Sequence, residues 1–142
     1  SPARTWQGPG GEMQRKEIKT DRAPRAIGPY SQAVQIGRHI YLSGQIPIEP
    51  MTGEVVPGDI KIQTRQVLRN LQMVLNEAGA GLKDIVKTTV FLKDLSRFAE
   101  MNGVYGEFFM PPYPARATVE VSGLPKGVDI EIDAIAVIDD DA

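Results

Sequence analysis

The chain of 142 residues contains no cysteine and a single histidine, His39. Without cysteine it can form no disulfide, no thiolate nucleophile and no cysteine-ligated metal site. One histidine does not make a histidine metal site either. No apolar run approaches the roughly 20 residues of a membrane-spanning helix, and the glycine-rich phosphate-binding motifs of nucleotide sites are missing. We therefore expect no metal, no cofactor and no membrane association.

What is present is typical of one globular domain, with 42% hydrophobic and 24% charged residues. The start of the chain lacks the apolar segment of a secretory signal, which together with the missing cysteine predicts a cytoplasmic protein. The net charge is +3 over residues 1–25 and −5 over the remainder. Because a body of that sign attracts phosphate backbones poorly, we expect no nucleic-acid partner.

Periodicity and turn residues predict a short series of elements. In chain order they are strands at 32–36 and 39–43 around Gly37-Arg38, a helix capped by Asp59 and ending before Gly79, a strand at 85–92, a helix capped by Asp94 or Ser96 and stopped by Met110-Pro111-Pro112, and strands near 114–122 and 128–134. Two amphipathic helices bury their apolar sides by packing on one face of a sheet. The sequence thus predicts an α+β domain over 18–138, with a mixed sheet and two helices on one face. Residues 1–17 are expected to be an arm or an expression remnant, and 139–142 an acidic end.

The last two strands carry charge on alternate residues. In 115–121 alanine and valine alternate with Arg116 and its polar neighbours, and in 128–134 valine and isoleucine alternate with Glu131 and two aspartates. Strand side chains point alternately to opposite faces. We predict that the apolar sets face the core, and that the arginine and the carboxylates share the open face. Such a face is either solvated or binds a small charged molecule.

Each candidate residue allows a structural and a chemical interpretation. Arg116 is either a surface arginine paired with an acidic neighbour, or a residue whose guanidinium group binds a substrate carboxylate through two hydrogen bonds. A carboxylate facing a cleft can activate water, but the pattern does not distinguish Glu131 from Asp129 and Asp133.

Three polar residues elsewhere are equally open. Tyr30 lies in a turn, where packing is the common role. Ser43 precedes Gly44, which permits close approach by a ligand, but no histidine–acid pair accompanies it to form a hydrolase triad. Asn102 lies in the second predicted helix and either faces solvent or donates to a ligand.

Several segments together resemble the RidA (reactive intermediate deaminase) family over about residues 18–138. They are Ala26–Ala33, Ser43–Pro47, Asp84–Phe91, Phe98–Asn102, Pro114–Arg116 and Ile130–Ile132. The resemblance implies a chorismate-mutase-like (ferredoxin-like) fold that assembles as a homotrimer, with the sheets around a central barrel and three clefts between subunits. It also implies cofactor-independent hydrolysis of 2-imino acids, such as 2-iminobutanoate and 2-iminopropanoate, to 2-keto acids and ammonia.

The resemblance also assigns roles to residues. Arg116 matches the arginine that binds the substrate carboxylate, and Glu131 matches a position expected to orient the attacking water. The remaining substrate-binding positions match Tyr30, Ser43, Asn102 and Thr118. Many members have a cysteine where Thr118 stands, so a required thiol is in doubt for this chain. The alternatives are an endoribonuclease that inhibits translation, or a non-catalytic binder of small carboxylates.

Overall fold

The computed structural model describes residues 6–8 and 11–139, with side chains from Gln14 onward; Ser1–Thr5 and Asp140–Ala142 lie outside it. A six-stranded mixed sheet and two helices form the body of the protein. The elements are β1 (Trp6–Gly8), β2 (Gly11–Met13), β3 (Lys16–Ile18), β4 (Ala33–Ile36), β5 (His39–Gln45), α1 (Ile60–Glu77), β6 (Ile85–Leu92), α2 (Phe98–Phe108), β7 (Ala115–Glu120) and β8 (Ile130–Val137). The main sheet has the order β3-β4-β5-β8-β6-β7, and β1 pairs only with β2. The predicted α+β architecture is confirmed.

Helix α1 begins as its sequence pattern predicts, but α2 begins at neither expected cap, Asp94 or Ser96. It starts at Phe98, with Arg97 at the cap position and no side-chain cap. Asp59 caps α1 by accepting a hydrogen bond from the backbone N–H of Ile62 at 3.1 Å. A 3₁₀ turn at 95–97 precedes α2, and Asp94 caps it by accepting from the N–H of Ser96 at 2.9 Å. Hydrogen bonds from the Ser96 hydroxyl and from the Ser96 backbone N–H favour the charged carboxylate and lower the pKa of Asp94. The apolar sides of both helices join one core with the sheet.

Strand β8 has the alternation that its sequence predicts. Ile130, Ile132 and Ala134 are buried under the helices, whereas Glu131 and Asp133 are half-buried on the open face. Antiparallel neighbours β5 and β6 flank β8 on its two sides. The expected position of the carboxylates on the open face is therefore confirmed.

The prediction for β7 is wrong in phase. Ala115, Ala117 and Val119 are exposed on the open face, while Arg116 and Thr118 are half-buried on the helix side. Strand β7 is an edge strand parallel to β6, and its register places Arg116 beside the buried Thr88. Alternation separates two sets of side chains without specifying which set faces inward. Here aromatic side chains of α2 accommodate the guanidinium, so the polar set faces the helices.

Strand β3 was not anticipated, because three residues are too few to show a period. It pairs with β4 in antiparallel register, Ile18 opposite Ala33, and begins at Lys16, inside the segment expected to be an arm. Neither helix in the described part of the chain combines the length and apolar character needed to cross a bilayer.

Candidate active site

Arg116 lies in a pocket formed by α2. Its Nη1 donates a hydrogen bond to Oδ1 of Asn102 at 2.7 Å. The guanidinium carbon lies 4.7 Å from the ring centroid of Tyr105 and 5.5 Å from that of Phe98. A cation over an aromatic face at these distances is attracted by the ring quadrupole. Among the described residues no carboxylate pairs with Arg116, so its other N–H groups are available to a ligand.

The ring of Tyr105 is itself fixed from below. Tyr105 and Thr88 are both buried, and their hydroxyl oxygens are 2.8 Å apart in a hydrogen bond. Because Tyr105 comes from α2 and Thr88 from β6, this bond joins the helix to the sheet beneath the guanidinium. The arginine is therefore held in place before any ligand binds, which reduces the entropy lost on binding.

A cavity of about 490 Å³ opens beside the guanidinium. Its lining residues are Asn102, Tyr105, Gly106, Tyr113, Pro114 and Arg116. The cavity thus combines a guanidinium group with a lining that is otherwise mostly aromatic and aliphatic. This combination is suited to binding a small organic acid.

Glu131 lies on the other face of the sheet, against the backbone of β5. A Cβ added to Gly44 would overlap the Glu131 carboxylate, since it would be only 2.8 Å from Cδ. Burial raises the pKa of the Glu131 carboxyl above its ordinary value, and the nearby Asp133 carboxylate raises it further. A glycine at this position thus allows a partly desolvated carboxylate to lie flat on the strand.

Ser43 directly precedes Gly44 on β5, and its hydroxyl has a defined orientation. Its Oγ donates to the carbonyl of Ser31 at 2.5 Å, and its N–H donates to the carbonyl of Gln32 at 2.9 Å. The Oγ lone pairs can therefore accept a hydrogen bond from a donor group of a ligand.

The loop that carries Tyr30 is tied down by one buried glutamine. The side chain of Gln32 donates to the carbonyls of Thr20 at 3.0 Å and Pro24 at 2.7 Å, and accepts from the N–H of Thr20 at 2.7 Å. Tyr30 itself is 53% exposed. Its ring is thus presented to solvent from a braced loop.

Comparison with known proteins agrees with this fold. The family model described as Endoribonuclease L-PSP matches residues 20–138. The 2-iminobutanoate/2-iminopropanoate deaminase of mouse is 48% identical over 123 residues, which cover 87% of this chain and 91% of that protein. The crystal structure of RidA from an Antarctic Psychrobacter superposes with a TM-score of 0.84 at 47% identity, covering 87% of this chain and all of that one. The chain belongs to the RidA family.

A further structural relative from this family has a ligand. The crystal structure of Escherichia coli TdcF with bound serine has a TM-score of 0.84 and 48% identity, over 87% of this chain and 99% of that one. That relative therefore binds a small amino acid, which carries a carboxylate.

The six residues predicted to form the site fall into two groups in this chain. Arg116, Asn102 and Thr118 lie on β7 and α2, on the helix side. Glu131 and Ser43 lie on β8 and β5, with Tyr30 on the adjoining loop. Strand β6 separates β7 from β8, so the strands that carry Arg116 and Glu131 are roughly 10 Å apart, and β5 with Ser43 lies one strand further away. The Arg116 side chain is on the helix side and the Glu131 side chain is on the open face. One small molecule cannot contact both groups of the same chain.

Two roles are modified by the contacts. Asn102 was expected to bind substrate; its amide oxygen instead accepts from Arg116, so its role in the single chain is to orient the guanidinium. Its contact with substrate stays a prediction. Thr118 is half-buried on the same face as Arg116, two residues further along β7, and its contact with substrate also stays a prediction.

Sequence reasoning missed the residues that hold the site together. The sequence predicts that Phe98 and Tyr105 lie in the second helix and that Gln32 begins a strand, and it gives none of the three a part in the site. Gly44 was expected to admit a ligand, and it admits the Glu131 carboxylate. A polar residue that is 3% exposed, as Gln32 is, leaves no periodic signal in a single sequence.

Proposed function

We propose that this protein hydrolyses 2-imino acids to 2-keto acids and ammonia, in clefts that form between neighbouring protomers of a homotrimer. The observation that carries the proposal is the Arg116 guanidinium, which is held by an amide and two aromatic rings and yet has no carboxylate partner among the residues that the structure describes. A 2-imino acid supplies that carboxylate. The mouse relative named for this activity supports the reaction class.

The residues around the imine can carry out the remaining chemistry. The imine is most electrophilic when its nitrogen is protonated, and the lone pairs of Ser43 Oγ can accept its N–H. Glu131 accepts a proton from the water whose oxygen forms a bond to the imine carbon. That proton passes to the nitrogen of the carbinolamine, and the C–N electrons leave with the nitrogen as ammonia. Electrons of the hydroxyl oxygen form the C=O bond, and the Glu131 carboxylate takes the hydroxyl proton. A raised pKa suits Glu131 to move a proton in both directions.

The separation of the two groups requires a second protomer. Since Arg116 and Glu131 lie on opposite faces of one sheet, a substrate can contact both only when the arginine edge of one chain meets the open face of another. Contact between two different surfaces generates rings when the rotation closes. The RidA relationship leads us to expect a ring of three, with three times the 15.5 kDa mass of the chain.

The test of the reaction uses a trapping assay. A dehydratase generates 2-iminobutanoate in situ, and semicarbazide traps any imine that the protein has not hydrolysed. We expect the wild-type protein to suppress trapping, and Arg116→Ala to lose nearly all of this effect. Arg116→Lys should also lose most of it, because a lysine ammonium lacks the planar two-pronged geometry.

Arg65→Ala is a matched control. Arg65 also lies over an aromatic ring, that of Phe108 at 5.8 Å, but a carboxylate oxygen of Glu107 occupies it at 3.0 Å. Its removal should leave trapping suppressed as in the wild type. Equal trapping with wild-type and Arg116→Ala protein would contradict the proposal. RNA cleavage that survives purification and disappears with Arg116→Ala would support the endoribonuclease reading instead, and tight keto-acid binding without turnover would support a binder.

The shared cleft has its own test. Arg116→Ala and Glu131→Ala chains are each expected to be inactive, but a mixture unfolded and refolded together should recover activity. In a 1:1 mixture, about a quarter of the clefts receive an intact arginine from one chain and an intact glutamate from its neighbour. No recovery in refolded mixed oligomers would mean that each site lies within one chain.

A further inference from the structure

Helix α2 contains two glycines that the fold does not require. Gly103 and Gly106 lie in the helix interior, where glycine costs about 0.5–1 kcal/mol relative to alanine. Neither has a positive φ, and a Cβ added to either would meet no atom within 4 Å. Backbone geometry and packing within the chain therefore do not explain them.

The two glycines differ in what they border. Gly106 lines the 490 Å³ cavity beside Arg116, as Tyr113 and Pro114 also do. Gly103 lines a separate groove between α1 and α2, bordered by Lys61 and Arg65. Only at Gly106 would a larger side chain reduce the space next to the guanidinium.

The geometry of a 2-imino acid specifies what should occupy that space. Its imine carbon is planar and carries three substituents: the carboxylate, the nitrogen and the side chain. The carboxylate binds Arg116 in the proposed complex, and the nitrogen and the attacking water need Ser43 and Glu131 of the other group. The first atom of the substrate side chain is two bonds from the carboxylate carbon, so the side chain lies against the cavity wall beside Arg116.

That wall is suited to an apolar side chain. Tyr113 and Pro114 contribute aromatic and aliphatic carbon, and Gly106 contributes no side chain at all. An apolar cavity of about 150 Å³ is large enough to hold benzene. A cavity of about 490 Å³ therefore has room for a branched or aromatic side chain in addition to the carboxylate.

We propose that the cavity beside Arg116 is the subsite for the substrate's side chain, and that Gly106 determines its size. This inference rests on the proposed function and adds a selectivity to it. The protein accepts 2-imino acids with large apolar side chains, and a side chain introduced at 106 excludes them while still admitting small ones.

The test compares two substrates in Gly106→Ala and Gly106→Leu variants. An amino-acid oxidase generates the imines of alanine and leucine in situ, and trapping measures kcat/KM for each. One methylene in an apolar pocket changes discrimination about 10- to 200-fold. We expect the leucine-to-alanine ratio of kcat/KM to fall at least 10-fold in Gly106→Leu, and by a smaller factor in Gly106→Ala. Gly103→Leu, on the same helix, should leave the ratio unchanged.

A second readout separates the subsite from the reaction. Calorimetry gives the Kd of pyruvate and of 4-methyl-2-oxopentanoate, whose side chains match those of the two imines, without any turnover. A wild-type protein that hydrolyses no imine refutes the proposed function, and the ratio of the two Kd values still decides the subsite. An unchanged ratio in Gly106→Leu, an equal loss for both ligands, or the same shift in Gly103→Leu would each overturn the inference.

Discussion

Replacing Gly44 with alanine should disable the site while leaving the fold nearly intact. The new Cβ would overlap the Glu131 carboxylate and lie 2.8 Å from its Cδ and 3.0 Å from its Cγ, whereas ordinary contacts of this kind exceed about 3.4 Å. The carboxylate must therefore move by roughly 1 Å, a displacement that costs about a hundred-fold in rate when a reacting group is involved. The obstructing atoms are the far end of a flexible side chain, so the free energy of unfolding should stay within about 1 kcal/mol of the wild-type value.

The assay measures kcat for an imine and the urea midpoint for each variant. Gly123→Ala is the matched control, because a Cβ there meets nothing within 4 Å and it should behave as the wild type. In a Glu131→Ala background, Gly44→Ala should cause no further loss, since two changes that act through one group are not additive. A folded Gly44→Ala protein with wild-type kcat would refute the reasoning. A further loss of keto-acid binding in the Glu131→Ala background would show that the methyl group obstructs the ligand itself.

Three further outcomes follow from the same contacts. The pKa of Glu131 is raised from 4.5 in the folded protein, so the charged form of this carboxyl opposes folding. The wild type should therefore lose stability relative to Glu131→Gln as the pH rises from below 4.5 through the raised pKa. A difference in urea midpoint that does not depend on pH would contradict this. Thr88→Val or Tyr105→Phe alone leaves one buried hydroxyl unpaired and should cost about 1–3 kcal/mol, whereas the double variant should cost less than the sum, as a urea-unfolding double-mutant cycle would show. Tyr105→Leu removes the ring beneath Arg116, so the Kd for pyruvate should rise, while Tyr105→Phe retains the ring and should largely restore it; equal Kd values for both variants would argue against a positioning role.

Much of the fold was predictable because the deciding signals are local. The apolar spacing of α1, its cap at Asp59 and the strand Ile85–Leu92 each depend on neighbours within one or two turns of chain. The hairpin around Gly37 is also local, and its φ of 58° is the left-handed conformation that glycine adopts readily. Such features are readable before any tertiary contact is known.

The candidate site was predictable only in its residue types. The family resemblance predicts that Arg116 and Glu131 act in the site. Their placement on opposite faces depends on the pairing register, which sets Arg116 beside Thr88 and Glu131 beside Phe91 of β6. The aromatic support of Arg116 comes from α2, and the bond between Thr88 and Tyr105 joins residues 17 positions apart. Contacts across elements leave no pattern in a single sequence, so the supporting residues could be found only in three dimensions.

The inverted phase of β7 links the site to assembly. Strand β7 turns its arginine toward the helices of its own chain, and it turns Ala115, Ala117 and Val119 toward the open face. The open face therefore carries apolar side chains, and Val119 is 41% exposed. A slip of one residue in the pairing with β6 would reverse both sets, moving the guanidinium away from Tyr105 and placing the small apolar residues inside. An arginine turned inward and an apolar surface turned outward are therefore two results of one register. In the proposed trimer that register serves two needs, because it orders the carboxylate-binding group in one protomer and provides the apolar surface on which another can pack.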